Sequence, residues 1–245
     1  MQSPIRAVFF DVGATLIRPT PSMGDIYRRV LMPLGVTATP EKYMEFFAAV
    51  WTELSDEVGA GNDRYSVFGS ERAFWRTYVL RVLQRLGAED QVEEATDLLH
   101  RTFADPASWA VYPDVEETLV RLRAAGRRCG VISNWDSRLP GLLEGLGLAG
   151  HFDTVVWSSA VGEEKPSARI FREALGAAGA EPGESLHVGD DLAADFHGAE
   201  AVGITGVLLN RRGAALPAAV RSIASLTELP SLVAASAAGP RPGES

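Results

Sequence analysis

The sequence predicts an α/β fold, a doubly wound parallel sheet with a helical unit inserted after its first strand. Three observations predict it. Short continuous apolar runs alternate with helical patterns along most of the chain, as expected of parallel strands covered on both faces. Each apolar run ends in small or polar residues. One long interval, residues 17–104, breaks the alternation and carries only helical spacing.

The first run, residues 5–10, is rich in strand formers and stops at Asp11-Val12-Gly13, so it reads as a buried strand ending in a loop. Residues 41–58 and 71–86 then have helical apolar spacing, and 92–103 is a third candidate. Gly59 to Asp63 is the expected break between the first two. Phe46, Phe47, Trp51, Phe74, Trp75 and Tyr78 recur at helical spacing. Most of them should form a core, with one or two facing a ligand. No strand is expected between the first run and the helix at 115–125. Strands at 129–133, 154–158, 186–188 and 206–209 follow, separated by helices at 138–146, 168–178 and 192–202. The predicted division is therefore a core of residues 1–16 and 105–235, a helical unit of 17–104, and a flexible tail of 236–245 that ends Pro/Gly-rich.

The chain has 245 residues, 46% hydrophobic and 22% charged, with a net charge of −9. That is enough to bury a sizeable core. The acidic balance, with no Lys/Arg block, disfavours nucleic-acid and anionic-membrane partners. No apolar run approaches the ~20 residues of a membrane helix, and the first residues lack a signal-peptide layout. With a single cysteine, Cys129, no intrachain disulfide can form, so a cytoplasmic setting is expected. Cys129 reads as a small buried hydrophobe. The four histidines show no zinc-ligand pair and read as structural. Gly145-Leu146-Gly147-Leu148-Ala149-Gly150 fits a dinucleotide pattern, but it follows a helix and precedes a strand. That is the reverse of the required context, so it reads as a helix stop.

In an open parallel sheet, ligands bind beyond the carboxyl ends of the strands. Asp11 and Gly13 follow the first strand, Ser133-Asn134 the second, and Gly189-Asp190-Asp191 the fourth, with Asp195 a turn later. Lys165-Pro166 precedes the helix after the third strand. A hard cation such as Mg²⁺ wants carboxylate and carbonyl oxygens, which Asp11, Asp190 and the Gly13 carbonyl can offer. Lys165 and Ser133 suit the oxygens of a phosphoryl group, and a carboxylate can attack phosphorus to form an aspartyl-phosphate. Asp114, Asp136 and Asp191 precede helices and read as caps.

Four segments in order resemble the four motifs of the haloacid dehalogenase superfamily. They are Phe9-Phe10-Asp11-Val12-Gly13-Ala14-Thr15-Leu16, Val131-Ile132-Ser133-Asn134, Lys165-Pro166, and Val188-Gly189-Asp190-Asp191 with Asp195. Tyr112-Pro113-Asp114-Val115 and Ser133-Asn134-Trp135-Asp136 are similar to its rhythmically-expressed-gene-2-like branch. The resemblance implies a Rossmannoid core with a small helical cap. It implies that Asp11 is nucleophile and metal ligand, that Ser133, Asn134 and Lys165 meet the substrate, and that Lys165 also orients Asp11. Asp190 and Asp195 join the Mg²⁺ site, and Thr15 braces the first loop beside the substrate. Most phosphatases of that superfamily carry a second aspartate two residues after the nucleophile; here Gly13 stands there, a position also readable as a backbone needing an unusual φ. The expected function is a Mg²⁺-dependent phosphatase of a small phosphorylated metabolite. Metal-free dehalogenation of a haloacid and non-catalytic binding of phosphate or a partner are the alternatives, and the sequence leaves oligomeric state open.

Overall fold

A computed structural model describes residues 4–237. The strand β1 (Ala7–Phe10) is buried throughout and lies between two parallel neighbours. They are β4 (Arg128–Ser133) and β6 (Ser185–Gly189). With β5 (Thr154–Trp157), β7 (Thr205–Leu209) and β8 (Ser222–Ile223) they form a six-stranded sheet in the order β5-β4-β1-β6-β7-β8. The chain leaves β1 toward one edge and later returns to build the other. The strand order therefore reverses at β1, which places a crevice at its carboxyl end.

The period-two alternation of strand residues sorts the two faces. Val8, Phe10, Val131 and Val188 pack with Leu119 and Leu142 on one side. Those leucines belong to α6 (Val115–Ala124) and α7 (Leu139–Gly145). Ala7, Phe9, Ile132 and Val156 face Ile170, Phe171 and Ala174 on the other. Those come from α9 (Ala168–Ala178), which follows the short α8 (Ser158–Val161). Cys129 is buried in the first cluster, and burial pushes its thiol up to about 12. Gly145 ends α7 and Gly147 has φ +73°, so the glycine-rich stretch stops a helix.

A separate apolar cluster belongs to five helices: α1 (Met23–Leu31), α2 (Pro40–Val58), α3 (Arg64–Val67), α4 (Glu71–Leu86) and α5 (Val92–Ala104). Tyr43, Phe47, Val50 and Leu54 give α2 one continuous apolar stripe into it. Thr39 and Ser70 cap α2 and α4 by accepting from backbone N–H groups three residues on. The break between α2 and α3 turns on Gly59 at φ +75°, and Asp63 caps α3.

Four expectations need correction. Strands do occur before residue 115: β2 (Ile17–Pro19) pairs antiparallel with β3 (Trp109–Val111) where the chain enters and leaves the helical unit. They are three residues long, too short for an alternation to register. The expected helix at 192–202 is a π-helical turn at Leu192–His197 followed by the short α10 (Gly198–Glu200). The start of the expected tail is helical, since α11 (Leu229–Ala237) runs through residues 236–237 and buries Leu229 and Val233 against the sheet. The rest of the expected tail lies outside the described residues. Finally, Asp114 does not cap its own helix. Its carboxylate instead accepts from Arg211, Ser225 Oγ and the Leu226 N–H, tying the chain after β7 to the start of α6.

Candidate active site

Asp11 is the first residue beyond β1, and its N–H donates to the Val188 carbonyl, so the neighbouring strand fixes its backbone. Its carboxylate is almost fully buried. Oδ1 accepts from Ser133 Oγ at 3.1 Å and from Lys165 Nζ at 2.7 Å. Lys165 also donates to the Ile132 carbonyl at 2.8 Å and to Asp195 Oδ1 at 2.6 Å. An ammonium has three N–H groups, and all three are taken. In this arrangement Lys165 orients both Asp11 and Asp195. Asn134 is similarly engaged. Its amide donates to the Lys165 carbonyl at 3.0 Å and accepts from the Lys165 N–H at 2.7 Å, bracketing the lysine backbone.

Asp195, on the π-helical turn, is buried and fully bonded. Besides Lys165, its Oδ1 meets His187 Nε2 at 2.9 Å, and its Oδ2 accepts from the Asp191 N–H at 3.0 Å. Asp191 caps that turn as expected, accepting from the Ala193 and Ala194 N–H groups. His187 was missed as a site residue. It sits in β6 with zero exposure, and a histidine inside a fully buried strand next to an acidic loop was the available signal. Its ring stands edge-on to Phe171 at 5.4 Å. Burial lowers its pKa although Asp195 pulls the other way, and its Nε2 faces the Asp195 carboxylate, an acceptor.

The electrostatics follow from this packing. Burial raises the Asp11 carboxyl, opposed by Lys165. Burial also works against the Lys165 ammonium, but Asp11 and Asp195 outweigh it and hold the lysine above its ordinary value. For Asp195 burial is again overcome, here by Lys165 and His187, and its carboxyl lies well below the usual range. Asp190 stands at the solvent-facing side. Partial desolvation and then the charges of Asp11 and Asp195 push it up to about 7.

Asp11, Asp190 and Asp195 each bring a carboxylate oxygen within 4.8 Å of the other two. Three crowded acids, one raised toward neutrality, suit a hard divalent cation. Each of the three can offer an oxygen, and Asp195 also holds three donors. The Gly13 carbonyl remains the additional donor implied by the sequence.

Gly13 is not there for an unusual backbone. The left-handed residue of the loop is Ala14, at φ +56°. A Cβ on Gly13 would meet only the ring of Trp135, at 3.5 Å. Thr15 is fully buried and its carbonyl accepts from Arg211 at 2.9 Å, but its Oγ1 has no partner among the described residues. Its bracing of the loop is thus a backbone matter.

Beyond Gly13 and Ala14 lies a cavity of about 570 Å³ roofed by the helical unit. Phe47, Trp51, Trp75 and Tyr78 line it, Phe47 and Tyr78 while buried in the helical core, whereas Phe74 is wholly buried and Phe46 packs against that core outside the lining. Several contacts hold the roof to the sheet side, among them donations from Arg138 to the His100 carbonyl and from the Glu164 N–H to the Gly61 carbonyl. Trp75 Nε1 donates to Asp136 at 2.7 Å. Glu71 accepts from the Ser137 N–H and hydroxyl. Arg64 makes a two-pronged pair with Glu164 at 2.9 and 3.0 Å, both residues buried. Asp136 also accepts from the Arg138 N–H in the turn before α7, whose own N-cap position is Arg138 with no side-chain cap, so Asp136 is a strut and not the cap expected of it.

A family profile for haloacid dehalogenase-like hydrolases matches residues 5–203. Haloacid dehalogenase-like hydrolase domain-containing protein 3 of Homo sapiens is 35% identical over 230 residues, 93% of this chain and 91% of that protein. Glyceraldehyde 3-phosphate phosphatase of Methanothermobacter thermautotrophicus is 31% identical, spanning 84% of this chain and 86% of that one. The solved L-2-haloacid dehalogenase of Xanthobacter autotrophicus shares the fold, with a TM-score of 0.70 at 20% identity over 94% of this chain and 98% of that one.

Proposed function

Because the chain belongs to the haloacid dehalogenase-like hydrolases, we propose that it is a Mg²⁺-dependent phosphatase of a small phosphorylated metabolite, with Asp11 as nucleophile. The observation that carries this reading is the placement of the Asp11 carboxylate. Oδ1 is tied down by Ser133 and Lys165, while Asp190 and Asp195 crowd the same space with negative charge. Those acids have a purpose if a cation and a phosphoryl dianion are to be held together. The phosphatase named among the relatives supports the same chemistry.

In this reading residues 17–104 act as the cap over a core of residues 1–16 and 105–235, closing the site and excluding water. Asp11, Asp190 and the Gly13 carbonyl hold the metal, with Asp195 behind them. Bound there, Mg²⁺ supplies charge compensation for the phosphoryl oxygens. Lys165 fixes the attacking carboxylate. The single O–H of Ser133, given to Asp11 in this structure, turns on binding to a phosphoryl oxygen beside the loop N–H groups, and such positioning carries most of this catalysis. Asp11 attacks phosphorus and water then hydrolyses the aspartyl-phosphate. Gly13 leaves no side chain to protonate the departing oxygen, a loss of ~10²–10⁴ in rate for a leaving group that needs a proton.

Asp11→Asn abolishes phosphate release, and chelating Mg²⁺ does the same. Phosphate release by the Asn variant at the wild-type rate overturns the assignment. Dehalogenation is the second reading, favoured by the missing acid at Gly13; it has no use for Asp190 and is the reading that Asp11-dependent turnover surviving chelation supports.

A further inference from the structure

The cavity above Gly13 takes the part of the substrate that leaves, and its chemistry is narrow. Resting on the phosphatase reading, we infer that the substrate is a phosphate monoester of an aromatic alcohol, whose ring enters this cavity and whose oxygen departs as an aryl oxide.

Size and lining point first. About 570 Å³ falls in the range of small-molecule sites. Phe47, Trp51, Trp75, Tyr78, Trp109 and Trp135 line it. Rings are seated best by other rings, edge-on or offset. Trp51 and Trp75 already stand 6.3 Å apart at 29°, and Trp109 and Trp135 5.3 Å apart at 56°.

The polar groups of the lining point the same way, because most are already engaged. Arg138 is paired with Asp136, which also accepts from Trp75. Thr52 and Thr96 donate to carbonyls of their own helices. Tyr78 donates to the Phe47 carbonyl, and the Asn134 amide is held by Lys165. A polyhydroxylated sugar would surrender water here with few groups to replace it, which disfavours its binding. The His100 imidazole and the Tyr65 hydroxyl, both in the lining, have no side-chain hydrogen bond among the described residues and can meet a ring substituent.

The third point is the missing acid. The cavity is continuous with Gly13 and Ala14, where an aspartate would protonate an alkoxide. Here the nearest side chain to the absent Cβ is the Trp135 ring at 3.5 Å, an apolar wall with no proton to give. An aryl oxide leaves without one. Asp11 Oδ forms a bond to phosphorus, and the phosphorus–oxygen bond to the ring breaks with its electron pair on the aryl oxide, which later takes a proton from water. A second water adds to phosphorus, the bond to Asp11 breaks with its pair returning to the carboxylate, and the water proton passes to a phosphate oxygen.

The test is a comparison of naphthyl phosphate, naphthylethyl phosphate, glycerol phosphate and acetyl phosphate with the full chain and Mg²⁺. Naphthyl phosphate should exceed glycerol phosphate by at least about a hundredfold in kcat/KM, and naphthylethyl phosphate should share its KM but be at least about a hundredfold slower in kcat, since its alkoxide lacks an acid. In Trp51→Ala the naphthyl-over-glycerol preference should fall about tenfold, a ratio insensitive to the fraction of folded protein. Acetyl phosphate needs neither acid nor aromatic seat. If it is hydrolysed while naphthyl and glycerol phosphates are equivalent, the aryl inference falls and the phosphatase reading stands. If Trp51→Ala leaves the preference intact, the aromatic seat is wrong. If none of the four releases phosphate, the phosphatase reading fails and takes this inference with it.

Discussion

At the residue scale, the site depends on two glycines for opposite reasons. Gly189 is required by packing: a Cβ there would lie 2.2 Å from the Asp195 carboxylate. Gly189→Ala must displace Asp195, and with it the third hydrogen bond of Lys165. Phosphate release should fall at least about tenfold with the helical content retained, a range typical of a misplaced catalytic constellation; wild-type turnover and circular dichroism together would contradict this. Gly13 is required by nothing in its backbone, and the space beside it is ordinary van der Waals room against Trp135. Gly13→Asp therefore restores a side chain able to carry a proton and should raise kcat on alkyl phosphates about tenfold or more. Unchanged kinetics on naphthylethyl phosphate would show that the missing acid does not limit the rate. The positions of Asp11, Ser133, Lys165 and Asp190 were legible in the sequence because each follows a strand or precedes a helix at the same end of the sheet. What Lys165 does with its three donors was not, since its partners Ile132 and Asp195 lie 33 and 30 residues away.

At the scale of elements, the long strands and amphipathic helices were legible because their burial imposes a period. The helix at Ala168–Ala178 has the predicted bounds, and so does Glu71–Leu86. The missed elements lack that imprint. In α11, Leu229–Ala237 is apolar or small at nearly every position, so no polar face marks it as a helix. In α1, Met23–Leu31 lies in a Pro-rich stretch. The ribbon of β2 and β3 joins residues far apart in sequence. So does the Arg64–Glu164 pair, which links α3 to the loop carrying Lys165. That pair is a buried latch, reinforced by the Arg64 guanidinium 4.1 Å from the centre of the Trp51 ring. Arg64→Met strands a buried carboxylate and should destabilise the protein by about 3–5 kcal/mol in chemical denaturation, whereas Arg64→Met with Glu164→Leu should recover most of that loss. A single-variant change below about 1 kcal/mol, as for an exposed pair, would contradict the latch.

At the scale of the molecule, one sheet and one helical roof divide the chemistry. The strand order reverses at β1, so the loops after β1, β4 and β6 and the one before α9 converge from separate parts of the chain. That convergence brings an acid, a hydroxyl, a lysine and an acidic pair within bonding reach. Among the described residues the roof contributes no charged group to this network; it contributes aromatic surface and the contacts that hold it down. On the proposed reading, reactivity resides in the sheet side and selectivity in the helices. The most direct test is to quench the protein during turnover of acetyl phosphate with Mg²⁺ and map covalent modification by mass spectrometry. One phosphoryl group on Asp11 is the result this structure predicts; phosphate released with no adduct on Asp11, or with the adduct on another residue, would contradict it.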